Sequence, residues 1–109
     1  MVEQGDIIYI NFSPQSGHEQ AGHRPALVVS NKIFNEKTGM TILCPITTKD
    51  NGFPLHLPLT GTEKIFGYVM CEHIKAFDIQ SRGYKTVDHV PALFLKQVLH
   101  IISLELQQS

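Results

Sequence analysis

Short apolar segments separated by turn-forming residues are the feature that most limits the possible folds of this chain. DIIYINF has an alternating tendency and PALVVS is a continuous apolar run, as expected for a half-buried and a central strand. In MTILCPITT, Pro45 indicates an edge position or a bulge because proline has no N–H to donate. The predicted strands are Asp6–Phe12, Pro25–Ser30, Met40–Thr48, Leu55–Leu59, Ile65–Cys71 and His73–Asp78, the last two being alternatively one long bent strand.

The C-terminal segment has a helical period instead. Pro91 is suited to the first helical position. After it, apolar residues recur every three or four positions, at Leu95, Val98, Leu99, Ile102 and Leu106. Ser30 or Asn31 is predicted to cap a short helix through KIFNEK that Gly39 ends. These elements predict an α+β fold with a strongly bent sheet or small barrel.

Length and composition predict one folded domain, residues 1–109. The chain is 42% apolar and 17% charged, which is typical of a globular protein and not of a disordered one. Its length is near the common size of a single domain. Small domains often gain further burial by pairing with a second copy, so a homodimer is consistent with the size.

Charge and cysteine usage exclude several classes of protein. A formal net charge of −1 gives no global basic field for nucleic acid, so any RNA site must be local. No segment approaches the roughly 20 apolar residues of a membrane span, and the N-terminus lacks a secretion signal, which predicts a cytoplasmic location. Cys44 and Cys71 have no CxxC spacing, so we expect buried reduced thiols.

The loop Ser13–His23 carries more ionisable side chains than a connector needs, in the sequence SGHEQAGH. Its histidines, His18 and His23, are five residues apart, which on a helix separates them by about 140 degrees. They would not converge on one metal, and no third ligand has a recognisable spacing. We therefore expect neither a metal site nor a cofactor.

Cleavage of RNA without metal requires a general acid or base and a fixed cation for the phosphorane oxygens. The planar guanidinium of Arg24 matches phosphate, and Pro25 restricts the arginine to extended geometry beside a buried strand. His18 can titrate near neutral pH and shuttle protons. The alternative that these residues leave open is that Arg24 only pairs on the surface, with Glu19 or with a C-terminal carbonyl.

Several motifs in the same order carry a resemblance to a known family: SGHEQAGHRPALVVS, KTGMT, PITT and GFPLHLPL. From Gly5 to the terminal helix, the chain resembles the MazF/PemK/Kid toxins of bacterial toxin–antitoxin pairs. The resemblance implies a dimeric, small SH3-like β-barrel (MazF/CcdB-like) with a C-terminal helix. It also implies sequence-specific, metal-independent cleavage of single-stranded RNA to a 2′,3′-cyclic phosphate and a 5′-hydroxyl. The implied partner is an antitoxin whose acidic, disordered tail blocks the RNA groove.

The resemblance also implies roles for individual residues. Arg24 of HRP and Thr47 of PITT match the paired functional residues of MazF-type members, and His18 matches a histidine that takes part in Kid-type members. Glu19 is a further candidate for proton transfer. Residues expected to contact the substrate are Gln20, Thr48, Lys49, Phe53 and Glu72. For Phe53, base stacking and core packing are equally open.

One departure from the family pattern concerns a strand motif. Kid-type members carry RCD where this chain has Met70-Cys71-Glu72, so the arginine is missing and the carboxylate is on a longer side chain.

Two rival functions remain. One is a CcdB-like gyrase poison, which uses C-terminal residues including a tryptophan, whereas this chain has no tryptophan and ends LELQQS. The other is a non-catalytic RNA-binding or autoregulatory module.

Overall fold

The computed structural model describes residues 1–12, 23–50 and 52–109, which form seven strands and three helices. In chain order the elements are β1 (Asp6–Asn11), β2 (His23–Val28), α1 (Lys32–Thr38), β3 (Thr41–Thr47), β4 (His56–Pro58), β5 (Tyr68–Met70), β6 (Lys75–Phe77), α2 (Ile79–Arg82), β7 (Tyr84–His89) and α3 (Ala92–Glu105).

The strands pair antiparallel in the order β4-β5-β3-β2-β1-β7, with β6 also paired to β3. The central position predicted for β2 is confirmed, since it lies between β1 and β3. The edge position considered for Pro45 is wrong. One side of β3 pairs with β6 at residues 41–43 and with β5 at 46–47, and Pro45 belongs to neither register. The missing N–H of proline therefore falls where β3 changes partners.

Alternate side chains of the central strands enter two separate apolar clusters. Ile7 and Leu27 belong to the first cluster, together with Val98 of α3. Ile8 and Ala26 belong to the second. Since neighbouring residues of a strand point to opposite faces, these buried side chains fix the face of every residue at the strand ends.

The two helices predicted from the sequence are confirmed, with one correction. The Asn31 side chain accepts a hydrogen bond from the Phe34 N–H at 2.9 Å, and Gly39 ends α1 with a φ of 71°. Pro91 is the N-cap of α3 and not its first helical residue. Within the described ranges, no helix has the length and apolar content needed to cross a bilayer.

Two further elements were not predicted, and one alternative is wrong. The strand β7 has the sequence YKTVDH and the helix α2 spans four residues, so neither has a strong apolar period. The register of β1 with β7 nevertheless covers residues 6–10. The segments around 65–71 and 73–78 form two strands, β5 and β6, and not one bent strand.

A single carboxylate links β7 to the segment that follows β4. Asp88 accepts hydrogen bonds from the N–H groups of Lys64 at 2.6 Å, Ile65 at 2.8 Å and Glu63 at 3.2 Å. We call this group of four residues the Asp88 clamp. Burial acts to raise the pKa of Asp88, but the N–H groups, including that of His89, outweigh it and hold the pKa below its ordinary value. The clamp therefore connects β7, at one end of the strand order, to the segment that follows β4, at the other end.

Candidate active site

Arg24 lies at the start of β2, directly opposite Ile10 of β1. Its side chain is exposed, while Ala26 and Val28, two and four residues further along the same face, are fully buried. The buried residues hold the backbone of the arginine in place. No side chain in the described part of the chain forms an ion pair with the guanidinium.

Thr47 ends β3 at the same end of the sheet. The register of β2 with β3 reaches Ala26 opposite Pro45, and Arg24 and Thr47 each lie two residues beyond that pair. Because side chains alternate with a period of two, Arg24 and Thr47 extend on the same face as Ala26 and Pro45. We call these two strand ends the Arg24–Thr47 rim.

The hydroxyl of Thr47 is oriented by its own turn. Its Oγ1 accepts a hydrogen bond from the Lys49 N–H at 3.2 Å, which leaves the hydroxyl hydrogen able to donate. Gly67 packs against the same residue, and a Cβ at Gly67 would collide with the Thr47 carbonyl oxygen. The position therefore depends on a glycine that sequence reasoning did not connect with the site.

The turn after Thr47 is exposed and polar. Thr48 and Lys49 are both exposed, and Oδ1 of Asp50 accepts a hydrogen bond from the Gly52 N–H at 3.0 Å. A hydrogen bond to Asp50 raises the pKa of Tyr68, the residue paired with Thr47 across β3 and β5. Tyr68 and Asp50 are thus neighbours of the rim that the sequence did not single out.

Phe53 is partly exposed and rests on a histidine. Its ring is 44% exposed and meets the His56 ring edge to face, with centroids 5.1 Å apart. The side chain of His56 is only 9% exposed, and its Nε2 lies 2.7 Å from Oε2 of Glu72. These three residues form one stack that runs from the surface inward, and we call it the Phe53 stack.

Glu72, which is expected to contact substrate, lies beside two histidines. Its side chain is 23% exposed, and its Oε2 also lies 3.5 Å from Nε2 of His73. Its Oε1 is buried without a hydrogen-bond partner in the described ranges, as is Nδ1 of His56. Burial, and then the charge of Glu72, raise the pKa of Glu105 at the end of α3. Glu72 is therefore partly buried and holds His56, and its contact with substrate stays a prediction.

The two cysteines are buried and reduced in the described structure. Burial raises the pKa of Cys71 to about 12, with smaller contributions from nearby carboxylates. Burial raises the pKa of Cys44 further, followed by the charge of Cys71 and then those of the carboxylates. Neither is a reactive thiolate. No group of three or more His, Cys, Asp or Glu side chains suited to a metal occurs in the described residues.

Three predicted site residues, His18, Glu19 and Gln20, lie outside the described residues. Their roles therefore stay predictions. Among the predicted site residues that the structure describes, Arg24 and Thr47 form the rim, and Thr48 and Lys49 lie beside it.

Comparison with known proteins identifies the family. Residues 3–106 match the model described as PemK-like, MazF-like toxin of type II toxin–antitoxin system. The chain is 41% identical over 81 residues to the endoribonuclease toxin MazF of Escherichia coli K12, covering 74% of this chain and 72% of that protein. It is 33% identical over 107 residues to the endoribonuclease PemK of Escherichia coli, covering 94% and 80%.

The structural likeness extends over nearly the whole chain. A crystal structure of MazE-MazF from Deinococcus radiodurans superposes with a TM-score of 0.85 and 34% identity, covering 99% of this chain and 97% of that one. The predicted SH3-like α+β fold with a C-terminal helix is confirmed. The chain belongs to the family of PemK-like, MazF-like toxins of type II toxin–antitoxin systems.

Proposed function

We propose that this protein is the toxin of a type II toxin–antitoxin pair and acts as a sequence-specific, metal-independent endoribonuclease on single-stranded RNA. Its family membership and its relatives named endoribonuclease support this activity. The observation that carries the mechanism is the Arg24–Thr47 rim, where an exposed guanidinium and a hydroxyl extend on one face of neighbouring strand ends. Its substrate would be mRNA in the cytoplasm.

The reaction follows from what each group at the rim can do. The 2′-hydroxyl loses its proton and its oxygen attacks the adjacent phosphorus, while the bond to the 5′-oxygen breaks. Arg24 stabilises the negative charge that develops on the phosphorane oxygens. Thr47 donates its hydroxyl hydrogen to a phosphate oxygen or to the departing 5′-oxygen. The products are a 2′,3′-cyclic phosphate and a 5′-hydroxyl.

Proton transfer is assigned to the loop before β2. His18 and Glu19 are the candidates for general acid and general base, since an imidazole and a carboxylate can exchange protons near neutral pH. Gln20 of the same loop is assigned to nucleotide contact.

Substrate contacts on the other side of the rim come from exposed groups. Lys49 and Thr48 lie in the turn after Thr47, where an ammonium and a hydroxyl suit the RNA backbone. The exposed part of the Phe53 ring is available for stacking on a base. Glu72 supports that ring through His56 and acts on the substrate indirectly.

Two partners complete the proposal. One is a cognate antitoxin with an acidic, disordered tail, which complements the exposed cations of the rim and orders on binding. Complexes of relatives with antitoxins support this partner. The other is a second copy of the chain, forming a homodimer whose groove would be shared.

Incubation of the purified protein with a long single-stranded RNA in EDTA tests the proposed activity. Site-specific cuts bearing cyclic phosphate ends are expected, and primer extension would map them. Retention of the RNA without cuts would favour a non-catalytic RNA-binding module. Neither binding nor cleavage, together with inhibition of gyrase, would favour a CcdB-like poison.

A further inference from the structure

A cleft lies at the same end of the sheet as the rim, beyond β1. It has a volume of about 610 Å³, within the size range of ligand sites. Among the described residues, its lining consists of Tyr9, His23, Arg82, Gly83, Tyr84 and Lys85. None of the roles assigned above uses these side chains.

The chemistry of the cleft is cationic and aromatic. Arg82 and Lys85 bring two fixed positive charges, and none of the described lining residues is acidic, although the chain as a whole has a net charge of −1. The concentration of cations is therefore local. It suits a phosphate ester and not a cationic or apolar ligand.

Tyr9 and Lys85 are two of the exposed residues that line the cleft. They are directly opposite each other in the register of β1 with β7. Tyr9 is 41% exposed and Lys85 is exposed as well. An aromatic ring beside an ammonium group can stack on a base and contact the phosphate attached to it.

Arg82 is held in a fixed position at the cleft. Its Nη1 donates to the Asn11 carbonyl oxygen at 2.8 Å, and its guanidinium lies 4.9 Å from the centroid of the Phe77 ring. A guanidinium has five N–H donors, and this carbonyl occupies one nitrogen. The side chain is thus ordered before any ligand arrives, which lowers the entropic cost of binding.

The register connects the cleft to the rim. Arg24 is opposite Ile10, and Ile10 is opposite Tyr84, so the cleft begins two strands from Arg24. At the spacing of neighbouring strands, that separation is about 10 Å. His23, which lines the cleft, is the residue before Arg24 and therefore points to the other face of the sheet, as do Tyr9 and Lys85, so the cleft continues around the strand ends.

We propose that this cleft is a nucleotide subsite that binds the single-stranded RNA where it passes around the strand ends, to one side of the scissile phosphate held at the rim. The base stacks on Tyr9, and Lys85 with Arg82 contacts the adjoining phosphate. This inference rests on the proposed ribonuclease activity and extends it. The subsite contributes affinity and sequence preference, while the reacting atoms stay at Arg24 and Thr47.

The test compares Tyr9→Ala and Lys85→Ala with the parent on synthetic RNA containing one mapped cleavage site. Each is expected to lower kcat/KM about tenfold, mainly through KM, because stacking and phosphate contacts act on binding. Lys85→Ala should also reduce the slope of log affinity against log salt by about 0.7, the value for one phosphate contact on a single strand. Tyr9→Phe should keep most of the activity, since it retains the ring.

The matched control is Lys37→Ala, which removes a cation from α1 at the opposite end of the sheet. It should leave both kcat/KM and the salt slope unchanged. Circular dichroism and thermal unfolding of every variant show whether the fold is kept.

Shortened substrates separate a subsite from a general effect on the fold. On RNA truncated on one side of the cut, the penalties of Tyr9→Ala and Lys85→Ala should disappear, because the nucleotide they contact is absent. If the two variants keep their loss of kcat/KM on both the substrate truncated upstream of the cut and the substrate truncated downstream, the subsite proposal would be overturned. Parent-like kcat/KM in both variants would overturn it as well and leave the ribonuclease activity standing. No cleavage by the parent itself would instead remove the activity on which the subsite rests.

Discussion

The Arg24–Thr47 rim and the Asp88 clamp each place a charged side chain near a strand end, but they use the charge differently. Asp88 accepts several N–H groups, and these hydrogen bonds lower its pKa. Arg24 is exposed and has no ion pair among the residues that the structure describes. The carboxylate therefore serves the fold, whereas we propose that the guanidinium serves the substrate. Removing the Arg24 side chain should therefore lower the cleavage activity and leave the stability of the fold unchanged. Removing the Asp88 side chain should lower the stability and leave the activity unchanged.

Replacing the arginine should have the largest effect. Arg24→Ala is expected to lower the cleavage rate by about 10³-fold or more, the scale of a fixed arginine in phosphoryl transfer. Its melting temperature should match the parent, because the exposed side chain packs little surface. Single-turnover cleavage of a radiolabelled RNA measures the first quantity and calorimetry the second.

Arg24→Lys is the matched control for charge alone. A lysine keeps the positive charge but not the planar fork, so a partial recovery is expected. Near-normal cutting by a folded Arg24→Ala protein would reject the role of Arg24.

The hydroxyl of Thr47 should matter next. Thr47→Ala is expected to reduce the cleavage rate by about 10²-fold, as for the loss of one hydrogen-bond donor in a transition state. Thr47→Ser keeps the hydroxyl and its acceptor role toward the Lys49 N–H, so it should restore most of the rate. If Thr47→Ala cleaves as fast as the parent, the residue is structural.

Changes to the Asp88 clamp should affect the stability of the fold and not the cleavage rate. Asp88→Ala is expected to lower the free energy of unfolding by about 2 kcal/mol, since a charged acceptor of several N–H groups is lost. Asp88→Asn retains one acceptor oxygen and should lose less. Urea denaturation gives the values, and cleavage per folded molecule should stay at the parent level. A loss of activity with unchanged stability would reverse the contrast with Arg24.

The same carboxylate predicts how acid affects stability. The folded-state pKa of Asp88 lies below its unfolded value, so its contribution is present above the unfolded pKa and is lost as pH falls through the folded one. Below about pH 4, the ordinary value for an aspartate, the parent should lose this part of its stability while Asp88→Asn does not. Urea denaturation at several pH values would compare the two slopes, and equal slopes would contradict the role of Asp88.

The sequence predicted elements with a strong local signal and missed those defined by long-range pairing. PALVVS was predicted as a central strand, and KIFNEK was predicted as a helix, because burial and capping residues are visible locally. The sequence of β7 is polar and its pairing with β1 spans most of the chain, so nothing local indicates it. At the site, Arg24 and Thr47 came from motifs. The role of His56 could not be predicted from a motif, because its link to Glu72 joins residues 16 positions apart.

The smallest predicted effect concerns the Phe53 stack. It lies between the two extremes of the comparison, because its carboxylate holds a histidine beneath the ring that we propose stacks on a base. Glu72→Gln should lower kcat/KM by less than about tenfold, since it weakens the hydrogen bond that holds His56 and leaves the Phe53 ring in place. Phe53→Ala removes the ring and should cost more, within the range of about 1 to 3 kcal/mol for stacking on one base.

The double variant Glu72→Gln with Phe53→Ala distinguishes the two ways in which Glu72 can act. If Glu72 works through His56 and Phe53, the double variant should be no worse than Phe53→Ala alone, since the ring through which it acts is already gone. Additive losses would instead mean that Glu72 contacts RNA itself, as the sequence first suggested. Because Oε2 of Glu72 lies 2.7 Å from the His56 ring, on which Phe53 packs, the non-additive outcome is the one that its geometry predicts.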